Sequence, residues 1–169
     1  MKLDLLAKKI LIVGDYGRGK TTLAQKLSRK LGIPYYSTDD FYWKRKFLEK
    51  QDKESSIKEI NQKVYSQDNW IVEGATYYLV GGGFKTANLI IYLSFPNIFS
   101  QWWAIIRRHQ KRENETFLNL IKLLRHALYK KYNWGYLKNE PKMLELLEPY
   151  EDKVVILRSF KEIDNFINT

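Results

Sequence analysis

The stretch Gly14-Asp15-Tyr16-Gly17-Arg18-Gly19-Lys20-Thr21 constrains this chain more than any other. It satisfies the pattern G-x-x-x-x-G-K-[ST] at every fixed position, the spacing of a loop that wraps a polyphosphate. Glycines at 14, 17 and 19 let the main chain curl closely around an anion, in conformations that a side chain would forbid. The N–H groups of such a curl point inward, and the positive end of a following helix adds to their pull. In that arrangement Lys20 meets the β- and γ-phosphates as a point charge, and the Thr21 hydroxyl ligates Mg²⁺. Asp15, Tyr16, Arg18 and Thr22 complete the nucleotide-binding run 14–22.

The flanks agree with that reading. Residues 10–13 (ILIV) are the continuous aliphatic run of a strand buried on both faces. Leu23, Leu27 and Leu31 recur every four residues, as on the inner stripe of a helix, which Gly32 and Pro34 then end. Residues 35–38 are β-prone and run straight into Asp39 and Asp40. That puts Asp39 at the carboxyl end of a second strand, the edge where open α/β sheets hold ligands. Lys44-Arg45-Lys46 follows, as a solvated helix face or as a grip on a substrate phosphate.

Further along, Ile57, Ile60 and Val64 predict a helix over 53–67. Residues 70–74 (WIVEG) read as a third strand ending in an acid, Glu73, and a glycine. Gly81-Gly82-Gly83 reads as a turn or mobile loop. Residues 88–93 are a fourth strand. A helix from Asn97 carries Ile98, Trp102, Ile105 and Ile106 on one side and Arg107 on the other. Leu118, Ile121, Leu124 and Leu128 continue in a second helix, interrupted at 132–136. A short helix over 142–147, a fifth strand at 154–157 and a last helix around 162–167 finish the chain. The expected fold is α/β, a three-layer α/β/α sandwich on a five-stranded parallel sheet. It forms one domain, 1–169, with a small helical lid inserted at about 97–136.

Bulk properties narrow the class. At 169 residues the chain can bury a full core without staples, and it has no cysteine for disulfides or thiolate metal sites. A reducing cytoplasm is expected, with no signal peptide and no membrane span. Lys and Arg number 29 against 19 Asp and Glu, a net charge of +10 that favours polyanionic partners. Between 107 and 131 stand eight Lys or Arg (107, 108, 111, 112, 122, 125, 130, 131) against two Glu.

Four places in order carry a family likeness: Gly14 to Thr21, Asp39-x-x-Tyr42-Trp43, Trp70-Ile-Val-Glu73-Gly74, and Leu93-x-Phe95-Pro96 before a Trp/Arg-rich helix. Together they resemble the P-loop nucleoside and nucleotide kinase group, which includes adenylate, shikimate and gluconate kinases. Within it the chain is similar to the small adenylate kinase-like proteins called DNA topology modulation proteins. The resemblance implies ATP, Mg²⁺ and an arginine-bearing lid over the transferred phosphate. The chain departs from the group where Gly74-Ala75-Thr76-Tyr77 replaces Gly-Asn-Tyr and where Trp103 replaces a lid-side arginine. No arginine lies between Gly74 and Lys85, where a monophosphate acceptor is normally gripped.

Phosphoryl transfer depends mainly on positioning and charge neutralisation. Lys20 and the loop amides hold the ATP phosphates, and Thr21 the metal. Mg²⁺ keeps much of its hydration shell, so a second acid orients it through water. Glu73 and Asp39 are the two candidates, and we assign Glu73 to the metal and Asp39 to the acceptor hydroxyl. The reverse assignment stays open. Arg107, Arg108 and Arg112 are the candidates for charge compensation in the transition state. Trp43, Trp102 and Trp103 read as packing residues, and His109 and His126 have no metal-ligand spacing. The expected activity is γ-phosphoryl transfer from ATP to a small acceptor, such as a nucleotide or nucleoside. The alternative is a nucleic-acid-associated or regulatory ATPase using the basic 107–131 segment, although no nucleic-acid-binding signature is legible.

Overall fold

The computed structural model describes residues 8–45, 49–110 and 116–168. β1 (Lys9–Gly14) runs up the middle of a five-stranded sheet in the order β2-β5-β1-β6-β7. Its partners are β2 (Tyr35–Ser37), β5 (Trp70–Gly74), β6 (Leu89–Leu93) and β7 (Val154–Leu157), and every pairing is parallel. Every residue of β5 and β6 is buried, as the apolar runs 70–72 and 89–93 require of strands covered on both faces, and Glu73 is buried with them at the end of β5.

The pleat of β1 feeds two cores. Ile10 and Ile12 face α1 (Lys20–Leu31) and α8 (Phe160–Asn168), packing with Leu23, Leu27, Ile163 and Phe166. Leu11 and Val13 face the other way, towards α3 (Lys53–Ile60), α4 (Tyr77–Thr86) and α7 (Met143–Leu147). Each fully buried Leu or Ile in these layers contributes roughly 1.5–3 kcal/mol of transfer free energy. The result is the expected α/β/α sandwich. No helix among the described residues is long and apolar enough to cross a membrane.

Register then builds the site. Ser37 lies beside Glu73, Val13 beside Gly74, Gly14 beside Leu93, and Leu93 beside Leu157. The carboxyl ends of all five strands therefore stop along one edge. Over that edge lie α5 (Ile98–His109) and α6 (Phe117–Tyr132), a helical pair joined by its own small core of Ile105, Leu120 and Ala127.

Two local expectations are corrected. Gly81-Gly82-Gly83 is neither turn nor loop but the interior of α4. The glycines are there for close packing: a Cβ on Gly83 would stand 3.0 Å from the Tyr65 hydroxyl and 3.1 Å from Leu11 Cδ1. Tyr65 itself is set by a single wide turn over 61–65 that continues α3, and its hydroxyl donates to the Leu79 carbonyl at 2.9 Å. Lys44 lies on no helix. After α2 (Asp39–Tyr42) the chain forms a small antiparallel ribbon, β3 (Trp43–Arg45) with β4 (Glu49–Lys50), and Lys44 finds its counter-ion across it, Glu49 at 3.3 Å. In α6 the helical spacing of Leu118 and Ile121 marks the outer face. Leu118 is 68% exposed, while Leu120 and Ala127 turn inward.

The glycine run provides a paired test. Gly81→Ala, with open space around its Cβ, should raise stability by about 0.5–1 kcal/mol through helix propensity. Gly82→Ala must displace the Tyr65 ring, 2.8 Å from the new Cβ, and should lower stability by about 1–3 kcal/mol. Urea unfolding of the two variants beside the parent chain measures both.

Candidate functional site

β1 ends in a residue that only glycine can be. Gly14 has φ 135°, and a Cβ there would strike the Leu93 carbonyl of β6. Asp15 N–H donates to that same carbonyl at 2.8 Å, and the chain then curls away from the sheet. Gly19, at φ 87°, turns it into α1, whose first residue is Lys20. The N–H groups of a helix start thus stand at the mouth of the loop, as an anion cradle needs.

The Lys20 ammonium reaches back across the curl and donates to the Gly14 carbonyl at 3.0 Å and the Asp15 carbonyl at 2.9 Å. Burial pushes its pKa below the usual lysine range, while the carboxylates of Glu73, Asp15 and Asp39 oppose that shift and Arg108 reinforces it. Thr21, one residue on, donates its hydroxyl to Glu73 Oε1 at 3.0 Å. The same carboxylate oxygen accepts the Ser37 hydroxyl at 2.9 Å, and Glu73 is only 5% exposed. A hard divalent cation takes oxygen ligands, and a hydroxyl already touching a buried carboxylate is a donor set that suits Mg²⁺. Thr21 and Glu73 are brought together as assigned.

Asp39 opens α2 directly beyond β2, exposed, with its N–H on the Ser37 hydroxyl at 3.3 Å. It lies within electrostatic reach of both Lys20 and Tyr16, across the sheet edge from Glu73. Asp40 is the next residue of the same first turn. The loop, α5 and the start of α8 enclose a cavity of about 1200 Å³. Residues 17–22, Arg107 and Arg108 all border it, as does Trp103, which is 68% exposed rather than packed away. Trp102 is the packing residue of the pair, its indole N–H on the Leu124 carbonyl at 3.2 Å. Arg112 lies outside the described residues.

Several contacts carried no sequence signal. Arg18 is 3% exposed and its guanidinium lies between two rings, 4.3 Å from the centroid of Phe95 and 4.5 Å from that of Phe160. Its Nε and Nη2 have no hydrogen-bond partner among the described residues, and burial lowers its pKa. The aromatic faces stabilise the cation, and the Asp15 and Glu162 carboxylates oppose the fall in its pKa. The Asp15 carboxylate accepts the Phe95 N–H at 2.7 Å, so the loop is tied to the end of β6. Tyr16 points towards α6, where its hydroxyl pairs with His126 Nε2 at 3.1 Å. His126 Nδ1 in turn meets the Tyr136 hydroxyl.

Lys130 of α6 was legible only as one cation in a basic run. Its ammonium donates to the Ala75 carbonyl just past β5 at 2.8 Å and stands 5.4 Å from the centre of the Tyr16 ring. Lys20 stands 5.5 Å from that ring centre. Burial, and secondarily Lys20, push the Lys130 pKa down to about 8. Below pH 8 the amine is charged in both folded and unfolded chains, at a cost to the folded one. Between about 8 and the unfolded value the folded chain binds fewer protons, so stability rises with pH. Lys130→Met removes that rise. Thermal unfolding from pH 7 to 10 should show the variant losing several degrees relative to the parent chain.

Comparisons with known proteins agree with this geometry. A model of the family described as ethanolamine utilisation – propanediol utilisation (PduV-EutP) matches residues 7–53. An uncharacterized protein of Bacillus subtilis, YqaC, is 33% identical over 92 residues, 54% of this chain and 51% of that protein, so the match spans about half of the relative's length. Among solved structures, shikimate kinase from Bacteroides thetaiotaomicron superposes with a TM-score of 0.56 at 15% identity, covering 96% of this chain and 95% of that one. A gluconokinase from Sinorhizobium meliloti gives a TM-score of 0.55 at 13% identity, covering 95% and 87%. A five-stranded parallel sheet with a glycine-rich phosphate loop at its centre and helices on both faces is thus shared along nearly the whole chain: its fold is that of the P-loop kinases.

Proposed function

We propose that the protein is an ATP- and Mg²⁺-dependent phosphotransferase that moves the γ-phosphoryl group to a hydroxyl of a small acceptor. The observation that carries this reading is the convergence of Lys20, Thr21 and Glu73 at the loop mouth, the Thr21 hydroxyl 3.0 Å from a buried carboxylate. A bound Mg²⁺, held by Thr21 and oriented through Glu73, would neutralise charge on the β- and γ-phosphate oxygens.

The chain's own groups do the rest. The loop amides and Lys20 fix the phosphates in line for displacement, and the Lys20 charge is strengthened by a water-poor setting. Asp39, across the sheet edge, orients the acceptor hydroxyl and takes its proton as the new P–O bond forms and ADP departs. Arg107 and Arg108 border the same cavity and supply charge to the developing transition state, with Arg112 proposed beside them. Shikimate kinase and gluconokinase resemblance supports a small hydroxylated acceptor.

The nucleic-acid alternative finds less support in where the basic segment points. Arg107 and Arg108 border the nucleotide cavity, while Lys130 and Lys131 donate inward to the Ala75 and Phe95 carbonyls. Lys130 and Lys131 are thereby turned away from an outer face.

ADP release from Mg·ATP is the direct test, alone and with nucleosides, nucleoside monophosphates, shikimate and gluconate, the product identified by mass. One acceptor should raise the rate well above the ATP-only background. Stimulation by DNA and by none of these acceptors would favour the alternative. Lys20→Ala should cut the stimulated rate by roughly 10²–10³-fold with a cooperative unfolding transition retained. Glu73→Gln should raise the Mg²⁺ concentration for half-maximal rate about 10- to 100-fold, and undiminished metal affinity would return the metal role to Asp39.

A further inference from the structure

The phosphate loop is a wall with a cavity on each side. Residues 17–22 face the nucleotide cavity, whereas Gly14, Asp15 and Tyr16 face a second one of about 290 Å³. The ends of β6 and β7 floor this second cavity, the last turns of α6 and the segment over 133–144 roof it, and Phe95 and Arg158 border both cavities. Its volume is at the low end for small-molecule sites, too small for a second nucleoside triphosphate.

Its charge is one-sided. Four cations border it, Lys130 and Lys131 half-buried and Lys142 and Arg158 exposed, against two carboxylates, Asp15 and Glu140. The Asp15 carboxylate is already engaged by the Phe95 N–H. The Lys130 and Lys131 ammonium groups donate to backbone carbonyls, those of Ala75 at 2.8 Å and Phe95 at 3.3 Å. None of the four cations makes an ion pair among the described residues. Lys20 and Lys130 stand 5.5 and 5.4 Å from the centre of the same Tyr16 ring, and burial with that like charge depresses the Lys130 pKa against the opposing pull of Glu140 and Asp15. Partly buried ammonium groups whose hydrogen bonds go to neutral carbonyls, and which outnumber the carboxylates around them, gain when an anion enters beside them.

We propose that this second cavity binds a small phosphate- or carboxylate-bearing metabolite, gripped by Lys130, Lys131, Lys142 and Arg158 while a nucleotide occupies the other side of the loop. The two anions lie on either side of one loop and share Arg158, so each weakens the other. By linkage the factor is the same in both directions, here about fivefold, the low end of ordinary coupling.

The test titrates inorganic phosphate and, separately, citrate into protein saturated with Mg·AMPPNP, whose γ-phosphate already fills the loop. Ionic strength is held constant and the heat of binding is read. Single-site saturation with a dissociation constant of about 1 mM or tighter is expected for at least one probe. Phosphate alone marks a phosphate-type ligand, and citrate alone a carboxylate-type one. The double variant Lys131→Met/Lys142→Met should weaken that binding at least about tenfold, and Lys142→Met alone serves if the double variant does not unfold cooperatively. In the reverse experiment the AMPPNP dissociation constant should rise to a plateau with added anion, whereas competition inside the loop raises it without limit. Absence of saturation, or equal binding by parent and variant, would mean an adventitious ion only and overturn the proposal. If AMPPNP itself fails to bind, the nucleotide reading fails, and the same anion titrations on the free parent and variant still decide the cavity.

Discussion

A buried carboxylate shared by two hydroxyls holds this molecule's working edge together. Glu73 ends β5, accepts the Ser37 hydroxyl from β2 and accepts the Thr21 hydroxyl from the first turn of α1. Three elements distant in sequence are thereby fixed to one oxygen. An ionised carboxylate out of water must be satisfied by donors, and here they are hydroxyls rather than a full cation. A pairing with lysine or arginine would be satisfied without a ligand. Hydroxyl donors can give way to a metal ion's water shell, so the contact that stabilises this edge is also one a metal can replace.

The fold was legible because its determinants are local. A glycine-rich run, a lysine and a hydroxyl follow one another without gaps, and each central strand is built on an apolar run. Glu73 was legible because it ends such a strand. Ser37 was passed over, since a serine at the close of a short exposed strand carries no periodic or motif signal. The same is true of the ring–cation–ring stack of Phe95, Arg18 and Phe160: its members are far apart in sequence, and only the loop's fold against β6 and β7 brings them into contact. His126 could not be seen from the sequence as the partner of Tyr16, 110 residues away.

Gly81-Gly82-Gly83 has the composition of a turn, but tertiary packing against Tyr65 and Leu11 overrides propensity and holds it helical. In α6 the helical period was legible, and the face that packs was not. Leu118 and Ile121 are exposed, whereas Leu120 and Ala127 pack with Ile105 of α5. Periodicity reports that a helix is amphipathic; it does not say which of two apolar faces finds a neighbour.

That narrow contact has a consequence for how the molecule opens. The sheet is anchored by two extensive cores, whereas α5 and α6 join through three buried side chains with a fringe of half-buried ones. Free energies of local opening follow such differences in buried apolar contact. Amide exchange should therefore fall into two tiers: slow for β1, β5 and β6, released only by global unfolding, and faster for α5 and α6, which can detach as a unit while the sheet stays intact. A nucleotide bridging the loop and α5 would merge the tiers, so protection in that helical pair would report occupancy at a distance from the phosphates.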